Sequence, residues 1–481
     1  MKGVAGAPAK RVVALPLEGA LSPNNCEVTM ASIFKAYDIR GIYPHEVNEA
    51  IAFKIGAAFV KLLAAHTVVI GYDMRLSSPT LADAFAQGAL SAGALVTNIG
   101  MVTTPLLYFA IIDGPYDGGA MVTASHLPGE SNGFKLCREK AIPLSDDAGL
   151  PGIERMVNDM AGDTPVGQGG TCSRRSVLPA YLDRLKTFVH DPMPIKMVID
   201  AGNGAIGPEV LPLTQQFPMW QVVPLYMEPD GRFPHHVANP LIPKNTEDLR
   251  AMVVKEKADI GIAFDGDADR CGFIDEKGEK IPEDLVTVLI SQVYLTKSPG
   301  ATILYDLRSS RSVPETITRL GGRAIRSRVG HAFIKAGMRE HDAIFAGELS
   351  GHFYFRDAGF TDNAMLAMIQ MLNLLALKKT AVSTLIAPLK KYSATGEINM
   401  QVTYKEGIYK ALEERYRDGQ LDHLDGLTVD YPSWWFNLRA SNTEPLIRLN
   451  LEAAGPGEME SRKREVFEII SRTDPTMQLK A

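Results

Sequence analysis

The sequence predicts an α/β protein of three related α/β domains with mixed sheets, followed by a smaller C-terminal α+β domain. From about Ile33 onward, short apolar runs alternate with longer amphipathic runs, which is the pattern of alternating strands and helices. A unit of buried strand, short polar loop and apolar return occurs three times along the chain. After a long apolar helix predicted at residues 363–377, strands and helices no longer alternate, which indicates a different final domain.

The first block of the α/β pattern contains two predicted strands, at residues 67–70 and 94–99, with a helix at 79–90 between them. Ser77 and Ser78 precede the helix and are candidate N-caps, because a serine hydroxyl can accept a bond from an unpaired N–H of the first turn.

The second and third blocks repeat this alternation. Their predicted elements are strands at residues 197–199, 260–264, 302–305 and 343–346 and helices at residues 247–257, 314–320 and 331–339. From these patterns we predict four domains, at residues 30–172, 173–279, 280–391 and 392–481.

Residues 1–29 are predicted to be a disordered extension. They are low in acids and contain Lys2, Lys10 and Arg11, and their apolar run is too short for a secretion signal. Translation that starts at Met30 and an organelle transit peptide are the alternatives.

The composition excludes several classes of protein. With 46% hydrophobic and 22% charged residues, the chain is typical of globular proteins. Its net charge of −6 argues against a nucleic-acid binder, although a few basic residues in a cleft can still hold a phosphate. The 4 cysteines contain no C-x-x-C pair, which favours a reducing compartment, and no run of apolar residues is long enough to predict a membrane span. We therefore expect a cytoplasmic monomer or homodimer without membrane or nucleic-acid partners.

Each repeated unit places a polar loop directly after a buried strand. Such loops are where α/β sheets keep their sites, and three domains that each offer one loop to a shared cleft would explain the repeat. The loops are residues 123–126, 265–270 and 347–352, and the chain returns at residues 134–136, 272–274 and 353–355.

Three aspartates in the second loop, Asp265, Asp267 and Asp269, indicate a cation site. Carboxylates this close repel one another unless a cation neutralises them, and all-oxygen ligands suit Mg²⁺ or Ca²⁺. An EF-hand would need Gly where Arg270 stands and helices on both sides. A phosphatase with a nucleophilic aspartate is a further alternative, but it does not explain the third aspartate or the other loops.

Ser125 in the first loop is a candidate nucleophile, with His126 and Lys135 nearby, or an ordinary turn serine. The G-x-S-x-G pattern of hydrolases is absent around it. In the third loop, Glu348 and Ser350 form an acceptor–hydroxyl pair that suits sugar hydroxyls, with a β-turn as the alternative. Residues 439–445 combine Arg439 with hydroxyls and an amide, which suits phosphate, but a polar turn explains them equally well.

Taken together and in this order, these loops resemble those of the α-D-phosphohexomutase superfamily, in particular its phosphomannomutase/phosphoglucomutase branch. The resemblance extends over nearly the whole chain from about residue 32 and includes the opening motif at residues 34–41. It implies four domains around a central cleft, with one loop from each.

The resemblance also implies roles for individual residues. Ser125 would be the phosphoserine, and with Asp265, Asp267 and Asp269 it would hold Mg²⁺. Arg40, Lys135 and His331 would be catalytic, with Lys135 or a histidine handling the proton. The residues expected to bind substrate are Tyr37, His126, Arg270, Glu348, Ser350, His352, Arg439, Ser441, Asn442, Thr443 and Arg448.

The implied reaction interconverts a hexose 1-phosphate and a hexose 6-phosphate through a hexose 1,6-bisphosphate, which would also activate the enzyme. The loop at residues 347–352 resembles that of enzymes acting on mannose and glucose phosphates. One position of the Ser125 loop departs from the family pattern, because Leu127 stands where the family usually has Asn. Phosphoglucosamine mutase, a metal-dependent sugar phosphatase and a non-catalytic paralogue are the alternatives.

Overall fold

The first domain is built on a seven-stranded mixed sheet. The computed structural model describes residues 33–160, 172–441 and 446–480, so the predicted extension lies outside the described residues. The elements of this domain are β1 (Ile39–Ile42), α1 (Glu49–Leu63), β2 (Thr67–Tyr72), α2 (Ser78–Ser91), β3 (Leu95–Met101), α3 (Thr104–Asp113), β4 (Gly118–Val122), β5 (Ser131–Arg138), β6 (Ile142–Pro143), α4 (Leu150–Asp159) and β7 (Cys172–Arg174). The strand order is β1-β5-β4-β2-β3-β7, with β6 on β5. The predicted domain boundary after residue 172 falls inside β7.

The second domain contains a five-stranded sheet in the order β12-β11-β10-β8-β9. Its elements are α5 (Leu178–Lys186), β8 (Ile195–Asp200), α6 (Gly207–Thr214), β9 (Trp220–Leu225), α7 (Glu247–Glu256), β10 (Ile260–Phe264), β11 (Cys271–Asp275) and β12 (Lys280–Ile281).

The third domain contains another five-stranded sheet, in the order β14-β13-β15-β16-β17. Its elements are α8 (Glu283–Lys297), β13 (Thr302–Asp306), α9 (Ser312–Arg319), β14 (Arg323–Ser327), α10 (His331–Glu340), β15 (Phe345–Gly347), β16 (Phe353–Phe355), β17 (Thr361–Asp362), α11 (Ala364–Lys378) and α12 (Val382–Ile386).

The fourth domain differs, because the described pairs of its six-stranded sheet are all antiparallel. Its elements are β18 (Ser393–Gln401), α13 (Lys405–Arg415), β19 (Gln420–Asp422), β20 (Leu427–Asp430), β21 (Trp434–Ala440), β22 (Leu446–Ala453), α14 (Pro456–Thr473) and β23 (Gln478–Lys480). The strand order is β19-β20-β21-β22-β18-β23.

The first three sheets share one four-strand arrangement, β5-β4-β2-β3, β11-β10-β8-β9 and β16-β15-β13-β14. In each, three neighbouring strands are parallel and the fourth returns antiparallel to the strand before it. The polar loops at residues 123–126, 265–270 and 347–352 join that last antiparallel pair in each domain. The predicted fold class, with its threefold repeat and different final domain, is confirmed.

Two predicted helix starts have different outcomes. Helix α2 begins at Ser78, but the Ser77 hydroxyl does not cap it; it accepts a hydrogen bond from Asn132 Nδ2 instead. The Ser78 hydroxyl donates to Asp73 Oδ1 at 2.6 Å, so both serines hold the neighbouring loops. Helix α11 begins one residue later than predicted, because Asn363 is its N-cap and accepts from Leu366 N at 2.8 Å.

A shared hydrophobic core fixes the first three domains against one another. One apolar cluster includes Leu106 of α3, Phe273 of β11 and Met368 of α11. Helix α11 is buried on every side from Ala364 to Ala376, which explains its continuous apolar sequence. Among the described residues, no single helix is long and apolar enough to cross a membrane; α11 with Val382–Leu389 meets that test only as a pair bent by 88°.

The fourth domain has its own core and docks on the third through polar contacts. The Arg311 guanidinium donates to the carbonyls of Pro432 and Trp434 at 2.9 and 3.0 Å, and Val329 N donates to Asp425 Oδ2 at 3.1 Å. These contacts bring the end of β21 to the edge of the cleft formed by the other three domains.

Candidate active site

Described residues of the first, third and fourth domains, with Arg270 of the second, line one cavity of about 690 Å³. Ten of the predicted site residues line it: Tyr37, Arg40, His126, Arg270, His331, Glu348, Ser350, His352, Arg439 and Arg448. Five others are buried together: Ser125 follows β4, Lys135 lies within β5, and Asp265, Asp267 and Asp269 follow β10. Asn442 and Thr443 lie outside the described residues, and Ser441 is described but is not among the lining residues.

Ser125 is held at the end of β4 in a backbone conformation that few residues adopt. Its φ is 54°, in the left-handed region, and its N–H donates to Thr123 Oγ1 at 2.8 Å. The aspartate-rich loop packs closely against it, since a Cβ at Gly266 would lie 2.5 Å from the Ser125 carbonyl oxygen. The Ser125 hydroxyl donates to Asp265 Oδ2 at 2.9 Å and lies 3.1 Å from His126 Nδ1. The first two domains therefore meet at the candidate nucleophile.

The buried guanidinium of Arg75 is hydrogen-bonded to the loop that carries Ser125. Its nitrogens donate to the carbonyls of Ser125, Leu127 and Ser131 at 2.9, 2.6 and 2.9 Å, and also to Pro128. Arg75 Nε donates to the buried Asp73 at 3.0 Å. Leu127 takes part in these hydrogen bonds through its carbonyl oxygen. Its departure from the expected Asn side chain therefore leaves the bonds unchanged.

The three predicted metal-ligating aspartates are buried and converge. They offer carboxylate oxygens within 4.8 Å of one another. Lys135 Nζ donates to Asp267 Oδ2 at 2.6 Å and also contacts Asp269 Oδ2. Thr104 Oγ1 adds a donor to Asp267 Oδ2 at 2.6 Å. Lys135 therefore compensates part of the charge of this acidic loop.

The pKa values of the triad are moved in opposite directions. Burial, together with the carboxylates of Asp269 and Asp267, raises the pKa of Asp265 well above its usual value. Burial acts the same way on Asp269, but Lys135, His352 and Arg270 overcome it and hold the pKa of Asp269 well below its usual value. The surrounding cations therefore hold Asp269 ionised, while burial and the neighbouring carboxylates make Asp265 the easier of the two to protonate.

The donor atoms fit a hard divalent cation. Asp267 Oδ1 and Asp269 Oδ1 are buried and have no hydrogen-bond partner within the described part of the chain. Buried carboxylate oxygens without partners are costly unless a cation occupies the space between them. With Asp265 and the Ser125 hydroxyl, the set is entirely oxygen, which suits Mg²⁺ rather than zinc.

Two predicted histidines are uncharged in this environment. Burial and the cations Arg270 and Arg40 lower the pKa of His126 well below its usual value. Burial and Lys335 do the same to the pKa of His331. Each imidazole is therefore neutral at neutral pH, and one of its ring nitrogens can accept a hydrogen bond.

His352 is held in one orientation by neighbours on both ring nitrogens. Its Nε2 accepts from Arg270 Nε at 2.9 Å, so the ring proton lies on Nδ1. That Nδ1 lies 3.0 Å from Asp362 Oδ2, and the buried Lys335 Nζ lies 2.9 Å from Asp362 Oδ1. The chain Lys335–Asp362–His352–Arg270 joins the third domain to the aspartate-rich loop.

The third loop presents a carboxylate and a hydroxyl to the cavity. Glu348 Oε2 accepts from Tyr354 OH at 2.7 Å, which fixes the carboxylate. Ser350 Oγ is buried without a hydrogen-bond partner among the described residues. A fixed acceptor beside a spare hydroxyl is the arrangement that suits sugar hydroxyls.

Three arginines surround one carboxylate at the side of the cleft where the third and fourth domains meet. Glu397 Oε2 accepts from Arg439 Nη2 at 2.8 Å and from Arg308 Nη1 at 3.4 Å, and its Oε1 lies 3.3 Å from Arg448 Nη1. Arg439 is 2% exposed, and its Nε has no hydrogen-bond partner in the described segments. Such a cluster provides the cationic donors that bind phosphate.

Comparison with known proteins identifies the family. The α/β/α domains I, II and III of phosphoglucomutase/phosphomannomutase match residues 31–161, 179–278 and 282–392, and the C-terminal domain matches residues 397–469. A phosphomannomutase of Escherichia coli (strain K12) is 40% identical over 451 residues, which cover 91% of this chain and 98% of that protein.

The chain belongs to the phosphoglucomutase/phosphomannomutase family. A Xanthomonas campestris pv. campestris protein named phosphohexose mutases is 39% identical over 446 residues, covering 91% of this chain and 98% of that protein. The crystal structure of a phosphoglucomutase/phosphomannomutase family protein from Burkholderia thailandensis is 32% identical, has a TM-score of 0.85, and covers 93% of this chain and 99% of that one.

Sequence reasoning missed two arginines of this family member, Arg75 and Arg308. Both follow a parallel strand in the same local sequence, Tyr-Asp-x-Arg, at residues 72–75 and 305–308. In both, the arginine N–H and Nε donate to the preceding aspartate, at 3.0 Å for Asp73 and at 2.7 and 3.2 Å for Asp306. The repeated tetrapeptide was a signal that could have found them.

Proposed function

We propose that this chain is a phosphohexomutase that interconverts the 1- and 6-phosphates of mannose and glucose. The observation that carries the proposal is that residues of all four domains line one cleft. Ser125 and the acidic triad are buried directly behind His126 and Arg270 of its lining, and the arginines around Glu397 lie on the side where Glu348 and Ser350 would bind the sugar. One end of a phosphosugar would react while the other is held.

Ser125 would carry the phosphoryl group between turnovers. A sugar hydroxyl attacks the phosphorus of the phosphoserine and passes its proton to a neighbouring base, while the bond to Ser125 Oγ breaks and that oxygen takes up a proton. The product is a hexose 1,6-bisphosphate, which turns around and returns its other phosphoryl group to Ser125. In that return step Ser125 Oγ gives up its proton to a neighbouring base, for which His126 Nδ1 lies 3.1 Å away, and the sugar oxygen that leaves takes up a proton.

The surrounding charges suit phosphoryl transfer, which depends mainly on alignment and charge neutralisation. Asp265, Asp267 and Asp269 would hold Mg²⁺, which supplies positive charge next to the phosphoserine when bound. Arg40 and Arg270 line the cleft together with His126, the neighbour of Ser125, and can stabilise the transferring group. A trace of hexose 1,6-bisphosphate would phosphorylate Ser125 and so activate the enzyme.

At the other end, Arg439, Arg448 and Ser441 would hold the phosphate that does not react. Glu348 and Ser350 would bind sugar hydroxyls between the two phosphate positions. Because each of these contacts accepts either end of the bisphosphate, one site can serve both directions of the reaction.

The test is conversion of mannose 1-phosphate and glucose 1-phosphate to their 6-phosphates by protein supplied with Mg²⁺ and a trace of glucose 1,6-bisphosphate. We expect conversion of both sugars without release of free phosphate. The Ser125→Ala variant should lose turnover, since it has no acceptor for the phosphoryl group. Ser91→Ala, an exposed serine of α2 in the same domain, is the matched control and should keep wild-type turnover.

Other results would point elsewhere. Release of free phosphate from either substrate would favour a metal-dependent phosphatase, and conversion restricted to glucosamine phosphate would favour phosphoglucosamine mutase. Turnover that survives in Ser125→Ala would contradict the phosphoserine mechanism.

A further inference from the structure

We infer that Glu397 is a built-in competitor of the substrate's phosphate, a carboxylate that occupies arginine donors in the phosphate-binding region and weakens phosphate binding there. The benefit of such competition rests on the proposed mutase function. The evidence that Glu397 competes with phosphate does not depend on that function. That evidence is one carboxylate in contact with three guanidinium groups that line the cleft.

The backbone is shaped to present this side chain. The pairing of β18 with β22 shifts register between Ala394 and Glu397, which is a β-bulge next to the cleft. Gly396 within it has a φ of 69°, and Leu451 N donates to Thr395 Oγ1 at 3.1 Å. A bulge re-aims the residues beside it, and here the residue beside it is Glu397.

The arginines around Glu397 keep its carboxyl group ionised. Burial alone would raise the pKa of Glu397, but Arg308, Arg439 and Arg448 together hold it below its usual value. The carboxylate therefore presents two anionic oxygens to donors that a phosphate would use. Arg308 has two further acidic neighbours, Asp306 at 2.8 Å and Glu348 at 3.4 Å, which keep it in place if Glu397 is neutralised.

Weak phosphate binding is useful in this reaction because the bisphosphate must exchange its two ends. Three arginines without a counter-charge would hold the first phosphate tightly and slow its release. A carboxylate that contacts the same donors favours that release and keeps the arginines ordered afterwards. Glu397 also joins Arg308 of the third domain to Arg439 and Arg448 of the fourth, so phosphate that replaces it would alter a contact between domains.

The test compares Glu397→Gln with wild type by calorimetry, using inorganic phosphate and, in a Ser125→Ala background, glucose 1,6-bisphosphate. Glutamine keeps the size of the side chain and removes its charge. We expect both ligands to bind roughly tenfold more tightly, which corresponds to about 1.4 kcal/mol. In the Ser125-containing enzyme, KM for the hexose phosphate should fall and kcat should fall several-fold.

The matched control is Glu460→Gln, an exposed residue of α14 in the same domain that pairs only with Lys463 in the described structure. It should change neither affinity nor turnover. Glu397→Asp keeps the charge but draws it back from the arginines, so its affinity should lie between those of wild type and Glu397→Gln. This variant carries the test if the glutamine variant does not fold.

Affinity that is unchanged or weaker in Glu397→Gln would overturn the inference and leave Glu397 with a structural role alone. Because binding of inorganic phosphate requires no turnover, that result is separable from failure of the mutase assay. Wild-type protein without mutase activity would refute the proposed function, while the calorimetry would still decide whether Glu397 competes with phosphate.

Discussion

Replacing Arg75 by Met tests whether the loop that carries Ser125 depends on one buried guanidinium. Arg75 and Asp73 are both 0% exposed in their side chains and form an ion pair at 3.0 Å. Removing one member of a buried ion pair costs about 3–5 kcal/mol, because the other charge is left uncompensated. The loop carbonyls would lose their shared donor at the same time. We therefore expect the free energy of unfolding of Arg75→Met to fall by about 4 kcal/mol.

A double variant, Arg75→Met with Asp73→Asn, separates stability from activity. Neutralising Asp73 removes the uncompensated charge, so the free energy of unfolding should recover by roughly 2 kcal/mol relative to Arg75→Met. Turnover should not recover, because the Ser125 loop still lacks its donor. A displacement of about 1 Å at a reacting group costs roughly 100-fold in rate, and we expect a loss of that order in kcat.

Urea unfolding measures the stability of the three proteins, and the mutase assay measures kcat and KM. Arg155→Met, at an exposed position on α4, controls for loss of an arginine in the same domain. If the double variant regained kcat together with its stability, or if Arg75→Met kept wild-type kcat, then Arg75 would only stabilise the fold and our account of the loop would be wrong.

Two further predictions concern the metal site and the pKa of His236. Dialysis against EDTA should abolish turnover without changing the far-ultraviolet circular dichroism, and added Mg²⁺ should restore it, since the triad suits a hard cation; full turnover in EDTA would contradict this. Although burial opposes it, the hydrogen bond and charge of Asp200 raise the pKa of His236. The resulting stabilisation is present below the unfolded pKa of about 6.5 and is lost as the pH rises through the higher folded value. The difference in unfolding free energy between wild type and His236→Gln should therefore be larger at pH 5.5 than at pH 8.5, with His341→Gln as a surface control.

The fold was predictable because its signals are local. Each repeated unit is a strand, a loop and a returning strand, and the longest runs only from Gly118 to Arg138. Ser125 and the triad could therefore be found at strand ends without knowledge of the tertiary structure. The long apolar helix and the different last domain were likewise visible in composition and periodicity.

The partners of the loops were not predictable in the same way. Arg75 binds a carbonyl 50 residues away, and Glu397 contacts Arg308 at a separation of 89 residues. Neither contact produces a periodic pattern in the sequence. An isolated glutamate in a strand is, moreover, typical of a solvent-exposed face. For the arginines, the sequence did contain a signal, the repeated Tyr-Asp-x-Arg. The repeat becomes visible once the first and third domains are aligned by their strands.

The arrangement of charges around Ser125 indicates a catalytic site. Taken as ionised, Asp265, Asp267 and Asp269 face two cations, Lys135 and Arg270, which leaves one net negative charge beside a serine proposed to carry a phosphoryl group. A divalent cation reverses that sign. Without one, burial and then the charges of Asp269 and Asp267 raise the pKa of Asp265. Carboxylates crowded into a buried loop repel one another and cost stability, a cost that binding of sugar phosphates alone does not explain. The presence of all three, next to a serine in a strained backbone conformation, is explained by a reaction that uses them together.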